Sequence, residues 1–533
     1  MAKSRGRPRN PKISDFAQRL DWILRYLDPY PGYARFTTST NAIYNAYAKA
    51  VAAGSFPIGN PRQIDAAYPH ETLSLSPKGE SVWEGYLRNE NPSKEMLDWL
   101  VTLYPDLTLE HLLVPTLEEF FERGEPVKVA KERWVAPVQM YSKQRKSLQD
   151  AALEFYDAGG DERYLTKSGH KIPLLLKNGW IRETPLLLVE GGENEHLLPL
   201  RQARDRPVKN LPGLNGEFIT YRGKIGFPAR EKVNQEPQHN GEIFCAERVL
   251  KDQAGFVGFE YRLGTYFDYI NTSEVLGVEL ANWLINNPSK TLDRPLPFRG
   301  SREDAFELSN RAAYPGINCL TVLLNYSSKK FQLRRNNYFL LHKRDETQMQ
   351  AQNSVHVIPA GGHQGIAADA ITEDTAMWRT LVREFAEELY DKEDLSRQSS
   401  SWIDFLANRD ILEIKRLFDA PSPAVKPYLM GFGLDPITLK PEVLCVEVID
   451  WDVARRKFEN PEFKFNWEVQ TDDPSVTRHT FRPLSRELLV SHATRRLLKI
   501  GDGPHLDPLP AGAACMLLAN EHFEALGLQE YHA

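Results

Sequence analysis

Three glutamates packed into five residues, Glu384, Glu387 and Glu388 in the run Arg383-Glu384-Phe385-Ala386-Glu387-Glu388-Leu389, constrain this chain more tightly than any other feature. Positions i, i+3 and i+4 of an α-helix share one face, so a helix through this run crowds three carboxylates together. Trp378, Leu381, Val382, Phe385 and Leu389 form the opposing apolar side, and the pattern predicts a helix from Asp374 to Tyr390 anchored on a sheet. Like charges at this spacing weaken a helix by about tenths of a kcal/mol per pair. A hard divalent cation, Mg²⁺ or Mn²⁺, reverses that cost because it takes oxygen ligands. Upstream, a strand over Val355–Ile358 breaks at Pro359-Ala360-Gly361-Gly362, where bare backbone lets a phosphate approach closely. A solvated acidic helix face remains the plain alternative.

The rest of the chain sets the context. A length of 533 residues exceeds what one core usually serves, so about two to four domains are expected. No segment approaches the ~18 consecutive apolar residues of a membrane span. The basic, Pro-containing N-terminus has no apolar leader-like stretch. The four cysteines (Cys245, Cys319, Cys445 and Cys515) are scattered without CxxC or Cys/His spacing, which fits a reducing cytoplasm. A net charge of −6 gives no whole-protein case for nucleic-acid binding, so any such case must be local.

Residues 1–15 make one local case. The first twelve residues hold five basic side chains and no acid, and the core Arg5-Gly6-Arg7-Pro8-Arg9 resembles an AT-hook. Arg5, Arg7 and Arg9 on a narrow extended strip would suit the minor groove of A·T-rich DNA. A solvated basic tail is the alternative. Residues 16–125 read as an all-α region, with helices from Phe16, over Ala42–Ala53 and within Ser81–Tyr104. The last pair, split at Asn91-Pro92-Ser93, resembles the second half of a repressor-type helix-turn-helix domain. A helical packing or dimerisation domain fits the same pattern.

Residues 135–298 read as a mixed α/β middle domain. A helix is expected at Ser147–Tyr156, strands at Pro185–Val189, Glu217–Tyr221 and Gly255–Arg262, and a further helix at Ser273–Leu284. His170, His196 and His239 stand alone in polar contexts and are expected at the surface. Residues 299–533 form the last domain. Its strands are expected at Cys319–Tyr326, Asn337–Arg344, Val355–Ile358 and Val443–Ile449. A basic turn, Ser327–Arg335, joins the first two, and helices follow near Leu484–Leu498 and Ala511–Leu526.

The Arg383–Leu389 run resembles the core of a Nudix box, G-x5-E-x7-R-E-U-x-E-E-x-G-U, matching at Arg383, Glu384, Phe385, Glu387 and Glu388. The Gly361-Gly362 pair lies about seven residues too far upstream, which implies an insertion around His363–Thr372. Tyr390 stands where the pattern has its final glycine. The resemblance implies an α/β/α sandwich and Mg²⁺-dependent cleavage of a nucleoside diphosphate linked to another group. Glu384, Glu387 and Glu388 would then be metal ligands, one of the glutamates assisting the attacking water, and Arg383 would orient the loop. More broadly, the order of segments resembles large bacterial helix-turn-helix regulators that end in a Nudix-like domain. Phe259–Arg262, Tyr266–Asp268 with Glu274, His356–Gly361 and Gly433–Glu442 carry that likeness. The whole is expected to be a multidomain α+β protein. It is either a hydrolase fused to a DNA-binding region or a non-catalytic nucleotide-sensing transcription regulator. A homo-oligomer is left open.

Overall fold

The computed structural model describes residues 135–157, 165–189, 242–287, 296, 299, 304–344, 354–366, 375–392, 399–419, 422–458, 462–465, 480–494, 498–499 and 505–531. The basic arm with Arg5, Arg7 and Arg9, the helical region 16–125, the strand expected at Glu217–Tyr221, and His196 and His239 lie outside them. Val135 aside, the described residues belong to one unit, Ala136–Gly213 with Gln238–Ala533.

In chain order the elements are α1 (Arg145–Asp157), β1 (Ile181–Leu187), β2 (Glu242–Asp252), β3 (Gly255–Thr265) and α2 (Val275–Asn286). They continue with β4 (Gly316–Ser328), β5 (Leu333–Arg344), β6 (Ser354–Val357), β7 (Ala360–Gly362) and α3 (Met377–Glu384). Next come α4 (Trp402–Ala407), α5 (Arg409–Lys415), β8 (Val425–Leu434), β9 (Pro441–Asp450) and α6 (Trp451–Lys457). The chain closes with β10 (Phe481–Pro483), α7 (Arg486–Thr494), β11 (Leu498–Lys499), β12 (His505–Pro508) and α8 (Pro510–Glu521).

The result is a mixed α/β architecture around one large mixed sheet in the C-terminal region. Its strand order is β1-β8-β9-β4-β5-β6-β12-β11, with β7 on β4 and β10 on β5. The central pair β4–β9 and the pair β6–β12 are parallel, and the remaining pairs are antiparallel. Strands β2 and β3 form a separate hairpin.

The central strands are apolar at successive positions, as strands covered on both faces must be. Leu320 and Val322 of β4, Phe339 and Leu341 of β5, and Leu444, Val446 and Val448 of β9 share a buried cluster with α7 and α8. Alternation sends Leu323, Leu340 and Ile449 to the other face, where they meet α3 to α6 through Trp378, Trp402, Ile411 and Trp451. Helix α8 starts on Pro510, whose missing N–H costs nothing at a helix start, and its residues from Pro510 to Asn520 are all buried. It lies sealed against the sheet, as an apolar small-residue helix can. The four cysteines are buried and unpaired. Among the described residues no helix is long and apolar enough to cross a membrane.

The strands expected near 319, 337, 355 and 443 are present, extended or shifted by a few residues. Strands β2 and β8 were not expected, and β8 shows why. Pro427, Gly431 and Gly433 read as strand breakers. In the fold Gly431 takes φ +140° where the β8–β9 register shifts between Leu429 and Gly431, so this glycine marks a bulge within a central strand. His170 is half-buried in a turn, its N–H donating to Thr166 Oγ1 at 3.0 Å, rather than fully exposed.

Leu444→Ala should lower unfolding stability by roughly 2–5 kcal/mol, because it empties a closed interior. Ile403→Ala, at a side chain 75% exposed, should stay within about 0.5 kcal/mol. Chemical denaturation of both variants checks the contrast, and equal losses would contradict the assignment of this core.

Candidate functional site

The short strand β7 explains how distant residues meet. Its three residues pair antiparallel with the start of β4, Ala360 opposite Asn318, Gly361 opposite Ile317 and Gly362 opposite Gly316. Cys319 N–H donates to Pro359 O and His363 N–H to Pro315 O, both at 2.9 Å, so the zipper extends past each end. Helix α3 and the turn after it pack against this segment. Ala360 N–H donates to Glu388 Oε2 at 3.2 Å. Arg383 Nη2 donates to Gly362 O at 2.9 Å and pairs with Glu384 Oε1 at 2.6 Å. A Cβ on Gly361 would fall inside the Glu384 carboxyl, and one on Gly362 would strike the Tyr314 hydroxyl. Any other residue at these positions would force the Glu384 carboxyl or the Tyr314 ring to shift.

The Gly361-Gly362 pair, Arg383, Glu384 and Glu388 therefore lie together despite the long spacing between them. Arg383, Glu384 and Glu388 are buried, at 6%, 7% and 5% exposure. Glu387 is half-buried. Among the described residues no three His, Cys, Asp or Glu side chains already converge as a metal-ligand group.

The helix itself differs from the expected regular one. It is α-helical from Met377 to Glu384 and π-helical from Phe385 to Leu389. A π turn widens the spacing, so Glu387 and Glu388 do not stack over Glu384 as 3.6-residue periodicity would place them. Tyr390, in the glycine position of the resembled pattern, has φ −127°, which any residue adopts. The left-handed residue comes one later, at Asp391 with φ +55°, and Asp tolerates that conformation better than most.

Several neighbours were not singled out from the sequence. His363 is fully buried, shares a 2.8 Å hydrogen bond between Nδ1 and Thr380 Oγ1, and sits 4.9 Å and 5.1 Å from the Phe244 and Tyr261 rings. Through these rings the β2–β3 hairpin braces the segment after Gly362. Burial and then the Arg383 charge push the His363 imidazole down to about 3, so it is neutral near pH 7. Tyr314 donates to Gln364 Oε1 at 3.0 Å, and Lys440 Nζ lies 5.6 Å from its ring centroid. Lys440 pairs with Glu442 at 3.6 Å, and Glu442 Oε2 accepts from Asn318 Nδ2 at 2.8 Å.

Glu447, in the middle of β9, is fully buried. Thr321 Oγ1 lies 2.6 Å from both Ile358 O and Glu447 Oε1. A hydroxyl donates one proton and a carbonyl only accepts, so both contacts are hydrogen bonds only when Glu447 carries its own proton. Desolvation agrees, raising this carboxyl to about 8. The available signal was a charged residue inside the apolar run Val443–Ile449, with Thr321 inside a similar run beside it.

Because the folded-state value of Glu447 is raised, its contribution to stability is full below the ordinary carboxylate range and fades as pH rises through about 8. Glu447→Gln, which stays neutral, should flatten the fall in melting temperature across that window while remaining folded. An unchanged slope in the variant would show that Glu447 is ionised in the fold.

No protein-family model matches the chain, and no curated protein matches it.

Proposed function

We propose that residues 299–533 form a Nudix-type α/β/α sandwich that hydrolyses a nucleoside diphosphate linked to another group, with Mg²⁺ or Mn²⁺ as the metal. The observation that carries this reading is the contact of Glu384, Glu388 and Arg383 with the Ala360-Gly361-Gly362 strand. It joins the two halves of the resembled motif, which the sequence separates. The donor set is hard oxygen, as these cations prefer, and the bare backbone at Gly361 lets the Glu384 carboxyl close directly on the strand.

Each residue has a distinct task in this reading. Glu384, Glu387 and Glu388 would hold the cation, which when bound neutralises phosphate charge and acidifies a coordinated water. Glu387, the most accessible of the three, takes the water's proton. Arg383 fixes the strand by gripping Gly362 O. Gly361 and Gly362, the phosphate loop of the resembled motif, would meet a diphosphate once the Glu384 carboxyl and the Tyr314 hydroxyl move off their backbone.

One observation favours a second reading, a nucleotide sensor without turnover. Glu384 Oε1 is held by Arg383 at 2.6 Å, both side chains being nearly enclosed, so ligation would first require that pair to loosen. In that case the bound nucleotide regulates a DNA-binding region that includes Arg5, Arg7 and Arg9.

Wild type, Glu387→Gln and Glu388→Gln should be assayed on dinucleoside polyphosphates, NDP-sugars and NAD-like compounds with and without Mg²⁺. The hydrolase reading expects Mg²⁺-dependent turnover in wild type and a loss of roughly 10²-fold or more in kcat in at least one variant. Calorimetric nucleotide binding without turnover would select the sensor. Neither binding nor turnover across the panel would end both readings.

A further inference from the structure

At the far end of β4 from the glycine strand lies a second charged surface. Gly316 pairs with Gly362 at one end of this thirteen-residue strand, and Ser328 pairs with Leu333 at the other. At ~3.3 Å per residue the two ends are roughly 40 Å apart. The hairpin joining β4 to β5 carries Lys329, Lys330, Arg334 and Arg335, all exposed. The last turn of α6 carries Arg455, Arg456 and Lys457, also exposed.

The two elements present one surface. Arg455 Nη2 donates to Ser327 Oγ at 2.6 Å, and Arg335 Nη2 donates to Asp452 Oδ2 at 2.5 Å. Lys330 Nζ reaches Phe463 O at 3.3 Å, and Arg334 stacks 5.5 Å from the Tyr531 ring centroid. Among the described residues of these segments and their ends the acids are Asp450, which caps α6, Asp452, which Arg335 engages, and the exposed Glu462 and Glu530.

This surface runs against the −6 charge of the chain as a whole. Cations in the last turn of α6 complement the helix dipole, which accounts for three of the seven basic residues. It does not account for the four on the hairpin, where no helix ends. We propose that this end of the sheet binds the phosphate backbone of nucleic acid without regard to base sequence. Several exposed cations on a firm hairpin and helix end can each neutralise a phosphate and release its counterions. An anionic membrane is the weaker match, because surface-binding elements bury apolar side chains in the interface. Phe331, the aromatic residue in the turn, is only 3% exposed, and among the described residues the exposed large apolar side chains (Leu165, Val189, Ile285, Ile403 and Leu412) lie elsewhere.

The test titrates the full-length protein with a short mixed-sequence duplex DNA and with a single-stranded RNA of equal length, over a range of salt. Lys329→Glu/Lys330→Glu/Arg456→Glu should weaken binding about tenfold or more at low salt and reduce the log–log salt slope by about 3. Whichever nucleic acid shows this loss is the source of the phosphates. Lys329→Arg/Lys330→Arg should bind like wild type, and both variants should keep the wild-type melting temperature. The loss should persist when Arg5, Arg7 and Arg9 are all changed to Ala, which separates this surface from the N-terminal strip. Wild-type affinity and slope in the charge-reversed protein would overturn the proposal. So would an equal loss in the arginine-keeping variant, or binding to phosphatidylserine vesicles with none to either nucleic acid.

Discussion

The large sheet and the candidate site both depend on the parallel ladder between β4 and β9, which holds register from Gly316 opposite Glu442 to Leu324 opposite Asp450. Parallel strands need cover on both faces, and the two buried clusters supply it, one under α7 and α8 and the other under α3 to α6. While β9 occupies one side of β4 along this length, the other side is shared. Its second half takes β5 and its first residues take β7. That division sets the glycine strand beside α3. The candidate site is thus a consequence of how β4 partitions its two edges.

Polar groups inside this frame act as ties between segments far apart in the chain. Arg145, Arg299 and Arg311 converge on the Asp435–Lys440 turn between β8 and β9. Arg145 pairs with Asp435 at 2.8 Å, Arg299 Nη1 donates to Pro436 O at 2.9 Å, and Arg311 Nε donates to Leu439 O at 3.1 Å. A buried guanidinium is costly unless its donors are used, and backbone carbonyls of a tight turn are acceptors that hydrophobic packing cannot satisfy. His363 plays a comparable part for the β2–β3 hairpin in its neutral form. Segments assigned by sequence to a middle region are in this way fixed to the large sheet.

The legible parts were those where one period dominates. Val443–Ile449 and Cys319–Tyr326 are apolar enough to declare themselves buried strands, and the Trp378-to-Leu389 pattern declared a helix with an apolar side. The π turn at Phe385–Leu389 was not legible, because it changes hydrogen-bond spacing without changing which residues are apolar. Strand β8 was hidden by Pro427, Gly431 and Gly433, which a bulge accommodates. The resembled motif set Gly361 and Glu384 in one site, but the means of their meeting was out of reach, since it depends on β7 pairing with β4. His363 looked like part of an insertion, and its burial comes from rings supplied by the distant hairpin.

Strand β1 raises a question of timing. Among the described residues it forms one edge of the large sheet and its strand partner is β8, Leu187 lying opposite Tyr428, while Glu183 N–H donates to Ala254 O in the β2–β3 turn. On the ribosome β1 emerges long before its partner is made, and a non-local pairing must meet its loop-closure entropy before any contact rewards it. The nascent chain therefore carries this strand without β8 through the synthesis of most of the domain. Unpaired strand edges are where incomplete chains aggregate. Pro185 within β1 and the exposed Glu183 and Thr184 beside it make that waiting edge a poor template for other chains.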